Sequence, residues 1–119
     1  MTKQLLIIED DSSLNQMLAL HFEDQGFEVT STFNCADGKA EVQNATFDLV
    51  MLDQQLPDGL GIELLPQLLD RRPELSVIMM TGQHDLELAI KAIRIGAADF
   101  VHKPINTEVT TPASLPCVN

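Results

Sequence analysis

Short apolar runs alternate along this chain with stretches whose apolar residues recur at helical spacing. Gln4–Ile8 reads as a short buried strand. Ser13 opens a helix, with Gln16 three residues on completing a capping-box pattern. Leu14, Met17, Leu18, His21 and Phe22 supply its stripe, and Gly26 is the expected stop. Phe27–Thr32 alternates and is β-branched, so it reads as a strand. Cys35–Asn44 predicts a weaker helix, with Ala36 and Ala40 facing inward, Val42 a third candidate, and Gly38 lowering its propensity. Phe47–Leu52 is a strand and Pro57–Gly59 a turn. Ile62, Leu65, Leu68 and Leu69 form a helical stripe that ends before Pro73. Leu75–Met80 is a strand, and Leu86–Ile95 a helix marked by Ala89, Ile90, Ile93 and Gly96. Ala98–His102 is the last strand.

Five strands alternating with four helices predict an α/β fold. Repeated βα units form right-handed crossovers, hence a parallel sheet, doubly wound with helices on both faces. The 119 residues, 45% hydrophobic, fit one domain and one core. After Pro104 the pattern changes. Residues 106–119 read NTEVTTPASLPCVN, without a helical stripe, and any helix starting near Thr107 must end before Pro112. The alternation requires a helix there and none is available.

Charge narrows the function classes. Seven basic and 18 acidic residues give a formal net charge of −11. That excess argues against direct binding to a nucleic acid backbone or an anionic membrane, and suits a divalent cation or a basic partner surface. With no Trp or Tyr, base stacking would fall to five scattered Phe residues. The apolar runs are far too short for a membrane span, and no signal-peptide pattern is present. Cys35 and Cys117 show no metal-ligand spacing and no disulfide framework. Two free thiols fit a reducing compartment, so the expected location is cytoplasmic.

The candidate chemistry lies at strand ends. Glu9 and Asp10 follow the first strand, Asp53 the third, Thr81 the fourth and Lys103 the fifth. In an open α/β sheet, ligands bind outside the carboxyl ends of the strands. Three clustered carboxylates repel one another, so one takes up a proton or a cation neutralises them. Magnesium suits such a site, because it prefers oxygen ligands and often binds through one or two carboxylates and a phosphate. Lys103 adds a positive charge and Thr81 a hydroxyl donor. Together they make a site for a phosphoryl group carried on Asp53, since a carboxylate can act as the nucleophile and phosphoryl transfer needs mainly positioning and charge neutralisation. His102 precedes Lys103, so its side chain is expected on the opposite face of the strand, in a structural role. His21 and His84 read as helix-face and surface residues, and Met79–Met80 as core.

The motifs LLIIEDD, LVMLDQQLPDG, MMTG and DFVHKP stand in one order across roughly residues 3–105. Singly each is weak; as a set they are specific. The chain resembles the receiver domain of two-component response regulators. The stretch TGQHDLELAIKAIRIGAADFVHKPI is most similar to receivers of nitrogen-regulatory-type transcription activators. The resemblance implies a flavodoxin-like five-stranded sheet of strand order 2-1-3-4-5. It makes Asp53 the phosphoacceptor, with Glu9 and Asp10 the acidic pair and Asp10 the direct metal ligand. Glu9 stands where the family more often has Asp, and its extra methylene leaves room for a water before the metal. Asp11 is expected to cap or solvate the first helix. Gln55 matches the position whose backbone carbonyl binds the metal, Mg2+ or else Mn2+. The side chains of Gln55 and Gln83 would flank the phosphoryl group. Thr81 matches the switch hydroxyl, Lys103 the lysine of the site and Phe100 the switch aromatic, which turns inward when Thr81 engages the phosphoryl group. Lys103–Pro104 matches a peptide bond that is typically cis.

The function so implied is a phosphorylation switch. A sensor histidine kinase donates the phosphoryl group, and an output domain, expected to be transcriptional, reads the state. The domain would catalyse only its own phosphorylation and dephosphorylation. Two alternatives stand beside it: a degenerate receiver serving as a protein-interaction module, and a magnesium-dependent aspartyl-phosphate phosphohydrolase. The latter would place a second acid two residues after the nucleophile, where this chain has Gln55. The expected organisation is a receiver domain over 1–105 and an irregular tail over 106–119, truncated or non-native, with the fifth helix missing and the output domain absent. The bare sheet face would expose ~400 Å² of apolar surface, on the order of 10 kcal/mol of gross burial. That favours self-association, so a homodimer covering this face is expected.

Overall fold

The computed structural model describes residues 2–82 and 85–103. Gln83, His84, the Lys103–Pro104 bond and the tail over 106–119 with its expected missing helix lie outside the described residues. The elements run β1 (Gln4–Ile8), α1 (Ser12–Asp24), β2 (Glu28–Thr32), α2 (Cys35–Asn44), β3 (Leu49–Asp53), β4 (Gln55–Leu56), β5 (Gly59–Leu60), α3 (Gly61–Arg71), β6 (Ser76–Thr81), α4 (Leu86–Ile95) and β7 (Asp99–His102). The five long strands form one parallel sheet in the order β2-β1-β3-β6-β7. That is the expected 2-1-3-4-5 order, because β6 and β7 are the fourth and fifth long strands. A short antiparallel hairpin, β4 with β5, stands apart from it. The expected Pro57–Gly59 turn is the bend of this hairpin.

The pleat of each central strand divides its side chains between two faces. Leu6, Ile8, Val50, Leu52, Val77 and Met79 face the layer of α2, α3 and α4, meeting Val42, Leu65, Leu68 and Ala92. Leu5, Ile7, Met51 and Met80 face the other way, where α1 packs Leu18 with Leu14, Ala19 and Phe22. Burial on both faces explains why the strands read as continuous apolar runs.

Helix ends account for several differences from the sequence reading. The cap of α1 is Asp11, as the family resemblance implied, and not Ser13, as the capping-box pattern predicted. Asp11 Oδ1 accepts the amide of Leu14 at 3.1 Å, and the first intrahelical bond runs from Asn15 N–H to Asp11 C=O. Aspartate caps as well as serine, and its charge also suits the partial positive charge of the helix start. At the other end, Phe27 N–H reaches back to Phe22 C=O and Gly26 N–H to Glu23 C=O, with the Phe22 and Phe27 rings edge-to-face. This Schellman closure takes Phe27 out of β2, which starts at Glu28. In α2, Ala36 and Ala40 are exposed, contrary to expectation, and Gly38 and Val42 turn inward. The reason is space: a Cβ on Gly38 would lie 2.5 Å from Ile8 Cδ1. A residue without a side chain lets α2 approach β1 this closely, and a larger one would require the buried Ile8 side chain to shift.

Candidate functional site

β1 ends by delivering Glu9 to the carboxyl edge of the sheet. Glu9 N–H continues the ladder to Thr32 C=O at 3.1 Å, and its side chain is fully buried. Buried Asn15 holds this corner, donating from Nδ2 to Glu9 C=O at 2.9 Å and Thr32 C=O at 3.0 Å. Glu9 Oε2 accepts the amide of Asp11 at 3.0 Å. Asp10, the next residue, is exposed at the rim.

Asp53 is the last residue of β3 and 2% exposed. Its Oδ1 accepts the following amide, Gln54 N–H, at 2.9 Å and Lys103 Nζ at 3.0 Å. Its Oδ2 receives no hydrogen bond from the described residues. Gln54 ties the loop behind Asp53 to its surroundings. Its amide also lies 3.2 Å from Met80 C=O, and its Oε1 accepts the Ile62 amide at 2.9 Å, at the start of α3. Gly61 N–H donates to Gln54 C=O at 2.8 Å. Beyond it, Asp58 in the hairpin bend accepts the Cys35 and Ala36 amides, pinning the hairpin to the start of α2. Those two N–H bonds hold the Asp58 carboxyl below its ordinary range. Burial, with the Asp58 carboxylate beside it, pushes the Cys35 thiol up to about 11, so it stays protonated.

Gly61 sits so close that a Cβ there would collide with the Asp53 backbone carbonyl. A backbone carbonyl at the end of a central strand cannot step aside. Gly61→Ala is therefore expected to destabilise the domain by about 1–3 kcal/mol, as overpacking does, despite alanine's better helix propensity. A urea unfolding midpoint equal to or above wild type would contradict the close packing.

Lys103 follows β7 and spans the gap between strands. Its Nζ lies 2.8 Å from Glu9 Oε1 and 3.0 Å from Asp53 Oδ1, with the side chain 28% exposed. Carboxylate oxygens of Glu9, Asp10 and Asp53 all lie within 4.8 Å of one another. The structure thus brings together Glu9, Asp10, Asp53 and Lys103. Thr81 ends β6, fully buried, in the cross-strand position opposite His102. Its hydroxyl bonds toward β7, with Val101 C=O at 3.4 Å and His102 Nδ1 at 3.3 Å. Phe100 is half-buried on β7, and Gln55 is exposed in the hairpin, opposite Leu60. Asn15, Gln54 and the contact of His102 with Thr81 were not anticipated. Asn15 left a signal, an amide on the inward face of α1 three residues before Leu18.

Two buried carboxylates and one ammonium leave the cluster short of positive charge. Burial drives the Glu9 carboxyl up to about 7. The Lys103 ammonium and the Asp11 amide pull it back only in part, and the Asp53 charge pushes it further up. Burial would lower the Lys103 ammonium, but its bonds to Glu9 and Asp53 outweigh this and raise it. The donor set is all oxygen, with Asp10 open to solvent, which fits a hard divalent cation. Such an ion would supply the charge the lysine alone does not. No helix among the described residues is long and apolar enough to cross a membrane.

Known proteins are similar to this chain in sequence and in fold. A family model described as the response regulator receiver domain matches residues 5–113. The photosynthetic apparatus regulatory protein RegA of Rhodobacter capsulatus is 34% identical over 113 residues, which cover 95% of this chain and 61% of RegA. The chain thus spans about three-fifths of that relative's length. The receiver domain of NtrX from Brucella abortus superposes with a TM-score of 0.82 at 31% identity, covering 87% of this chain and 88% of that one. A response regulator from Burkholderia pseudomallei, solved with a phosphorylated aspartic acid, a calcium ion and citrate, has a TM-score of 0.81 at 26% identity, covering 89% of this chain and 62% of that one. Sheet order, strand-end acids and these matches agree: the chain belongs to the response regulator receiver domain family.

Proposed function

We propose that this domain is a phosphoacceptor switch in which Asp53 takes a phosphoryl group from the phosphohistidine of a sensor kinase. The observation that carries this reading is the state of Asp53: buried, one oxygen held by Lys103 and Gln54 N–H, the other without a donor among the described residues. Oδ2 is the nucleophile. Its bond to phosphorus forms as the phosphorus–nitrogen bond of the donor breaks, and the electron pair leaves on the imidazole nitrogen. Lys103 Nζ stays beside the new acyl phosphate and neutralises one of its oxygens. Thr81 turns its hydroxyl from β7 to donate to another, and Phe100 follows it inward. Glu9, Asp10, Asp53 and the Gln55 carbonyl would hold Mg2+ or Mn2+, which when bound supplies further charge neutralisation. By family resemblance the side chain of Gln55 would flank the phosphoryl group and tune its exposure to water, the role also assigned to Gln83, which lies outside the described residues. The switched face signals to an output domain, expected to regulate transcription in the cytoplasm. The Burkholderia regulator's phosphorylated aspartic acid supports the assignment by family membership.

The direct test is incubation with acetyl phosphate and Mg2+ followed by intact mass measurement. Wild type is expected to gain one phosphoryl group, and Asp53→Asn to gain none. A wild type that gains none would leave the protein-interaction module as the reading.

A further inference from the structure

We infer that His102 is a positioning residue of the switch, holding the Thr81 hydroxyl in its resting orientation and linking it to the Phe100 ring. The inference rests on the phosphoacceptor reading above. His102 was expected to stand apart from the site, because it alternates with Lys103 along β7. That alternation is what places it on the face of Phe100, two residues earlier, and the two rings meet edge-to-face with centroids 5.4 Å apart. The parallel register sets His102 beside Thr81 on β6. One side chain therefore touches both residues that the switch requires to move.

The hydrogen bonds specify what it does there. His102 Nδ1 lies 3.1 Å from Gly82 C=O and 3.3 Å from Thr81 Oγ1. A carbonyl only accepts, so Nδ1 carries the hydrogen, and the same N–H leans on the Thr81 oxygen. The Thr81 hydroxyl is then an acceptor toward His102, and its own hydrogen goes to Val101 C=O at 3.4 Å. Both contacts turn the hydroxyl toward β7. Donating to a phosphoryl group on Asp53 requires the hydroxyl to release Val101 C=O, and turning the side chain away from β7 to do so also stretches its contact with His102. His102 thus biases the resting state, and the edge-to-face contact ties that bias to Phe100.

The test is titration of the full chain with beryllofluoride, a phosphoryl mimic, at saturating Mg2+. Amide NMR signals of Gly82 and Val101 report the transition, which suits a chain without Trp or Tyr. His102→Ala is expected to bind the mimic about three- to tenfold more tightly, the release of one weakly held hydrogen-bonded state. Its Mg2+ affinity, measured without the mimic, should not change. His102→Asn restores an N–H near the Nδ1 position and should return affinity to near wild type. His102→Phe keeps a ring against Phe100 but no donor, and should behave as the alanine variant. Because His102 is exposed, all three variants should fold. A wild type that responds, with all three variants matching it, overturns the His102 role alone. A wild type that takes up no mimic overturns the phosphoacceptor reading and this inference with it.

Discussion

Lys103→Met is expected to lower the melting temperature of the cation-free domain by on the order of 15 °C at pH 8, and by much less at pH 5. The ammonium is the one positive group within bonding distance of Glu9 and Asp53 among the described residues. Removing one partner of a buried ion pair costs about 3–5 kcal/mol, because the charge left behind has lost its compensation. The lower end applies here, since Lys103 is 28% exposed. The pH dependence follows from Glu9. Its carboxyl titrates near 7 in the folded protein, above its ordinary 4.5. The folded state therefore binds the extra proton between those values. Stability associated with Glu9 is fully present below 4.5 and is lost as pH rises through 7. Without Lys103 the Glu9 carboxyl moves higher still, so the variant goes on losing stability above pH 7, where wild type has levelled off. Saturating Mg2+ should restore much of the loss, by about 2.7 kcal/mol at a hundredfold excess over Kd. Thermal melts at both pH values, with and without Mg2+, check all three points. Equal melting of variant and wild type at pH 8 would show that Lys103 does not neutralise the cluster.

Local pattern was informative wherever one face of an element was buried by neighbours of its own kind. The runs ending at Ile8 and Asp53 and the stripe of α3 were legible because strands covered on both faces and helices covered on one leave distinct periods. The acids at strand ends were legible for a related reason. A charge directly after a buried run lands at the edge of the sheet, and a parallel sheet brings such edges together. What escaped was decided between elements. Ala36 and Ala40 looked like an inward stripe, yet α2 turns Gly38 to Ile8, and only the spacing of α2 from β1 selects that face. Gln54 and Asn15 act through bonds to Ile62 and Thr32, partners eight and seventeen residues away. The hairpin of β4 and β5 has two residues per strand, too few for any period to register. His102 was placed on the correct face of its strand, but a strand face says nothing of the side chain on the neighbouring strand that it meets.

Glu9→Gln should act in the opposite sense to Lys103→Met, although it breaks the same ion pair. The wild-type carboxylate is buried at 0% exposure beside Asp53, and its rise from 4.5 to about 7 measures how poorly the fold tolerates that charge. At pH 8 the charge costs about 3 kcal/mol at most, by the free energy of such a shift. Glutamine removes it and keeps the shape. Its carbonyl can accept from Lys103 or the Asp11 amide, and its N–H can donate to Asp53. After the loss of the ion pair, a net gain of about 1–2 kcal/mol is expected at pH 8, with the stability slope between pH 4.5 and 7 flattened. The cation should then bind about 10- to 100-fold more weakly, as when an outer-shell carboxylate is lost. Denaturant unfolding across that pH range and Mg2+ titration read the two effects separately. A variant less stable than wild type at pH 8 would mean that the Lys103–Glu9 pair outweighs the cost of burying the charge. A more stable variant with weakened Mg2+ binding would mean that the domain carries an unfavourable buried charge because the cation site requires it, stability given up locally where function needs the strain.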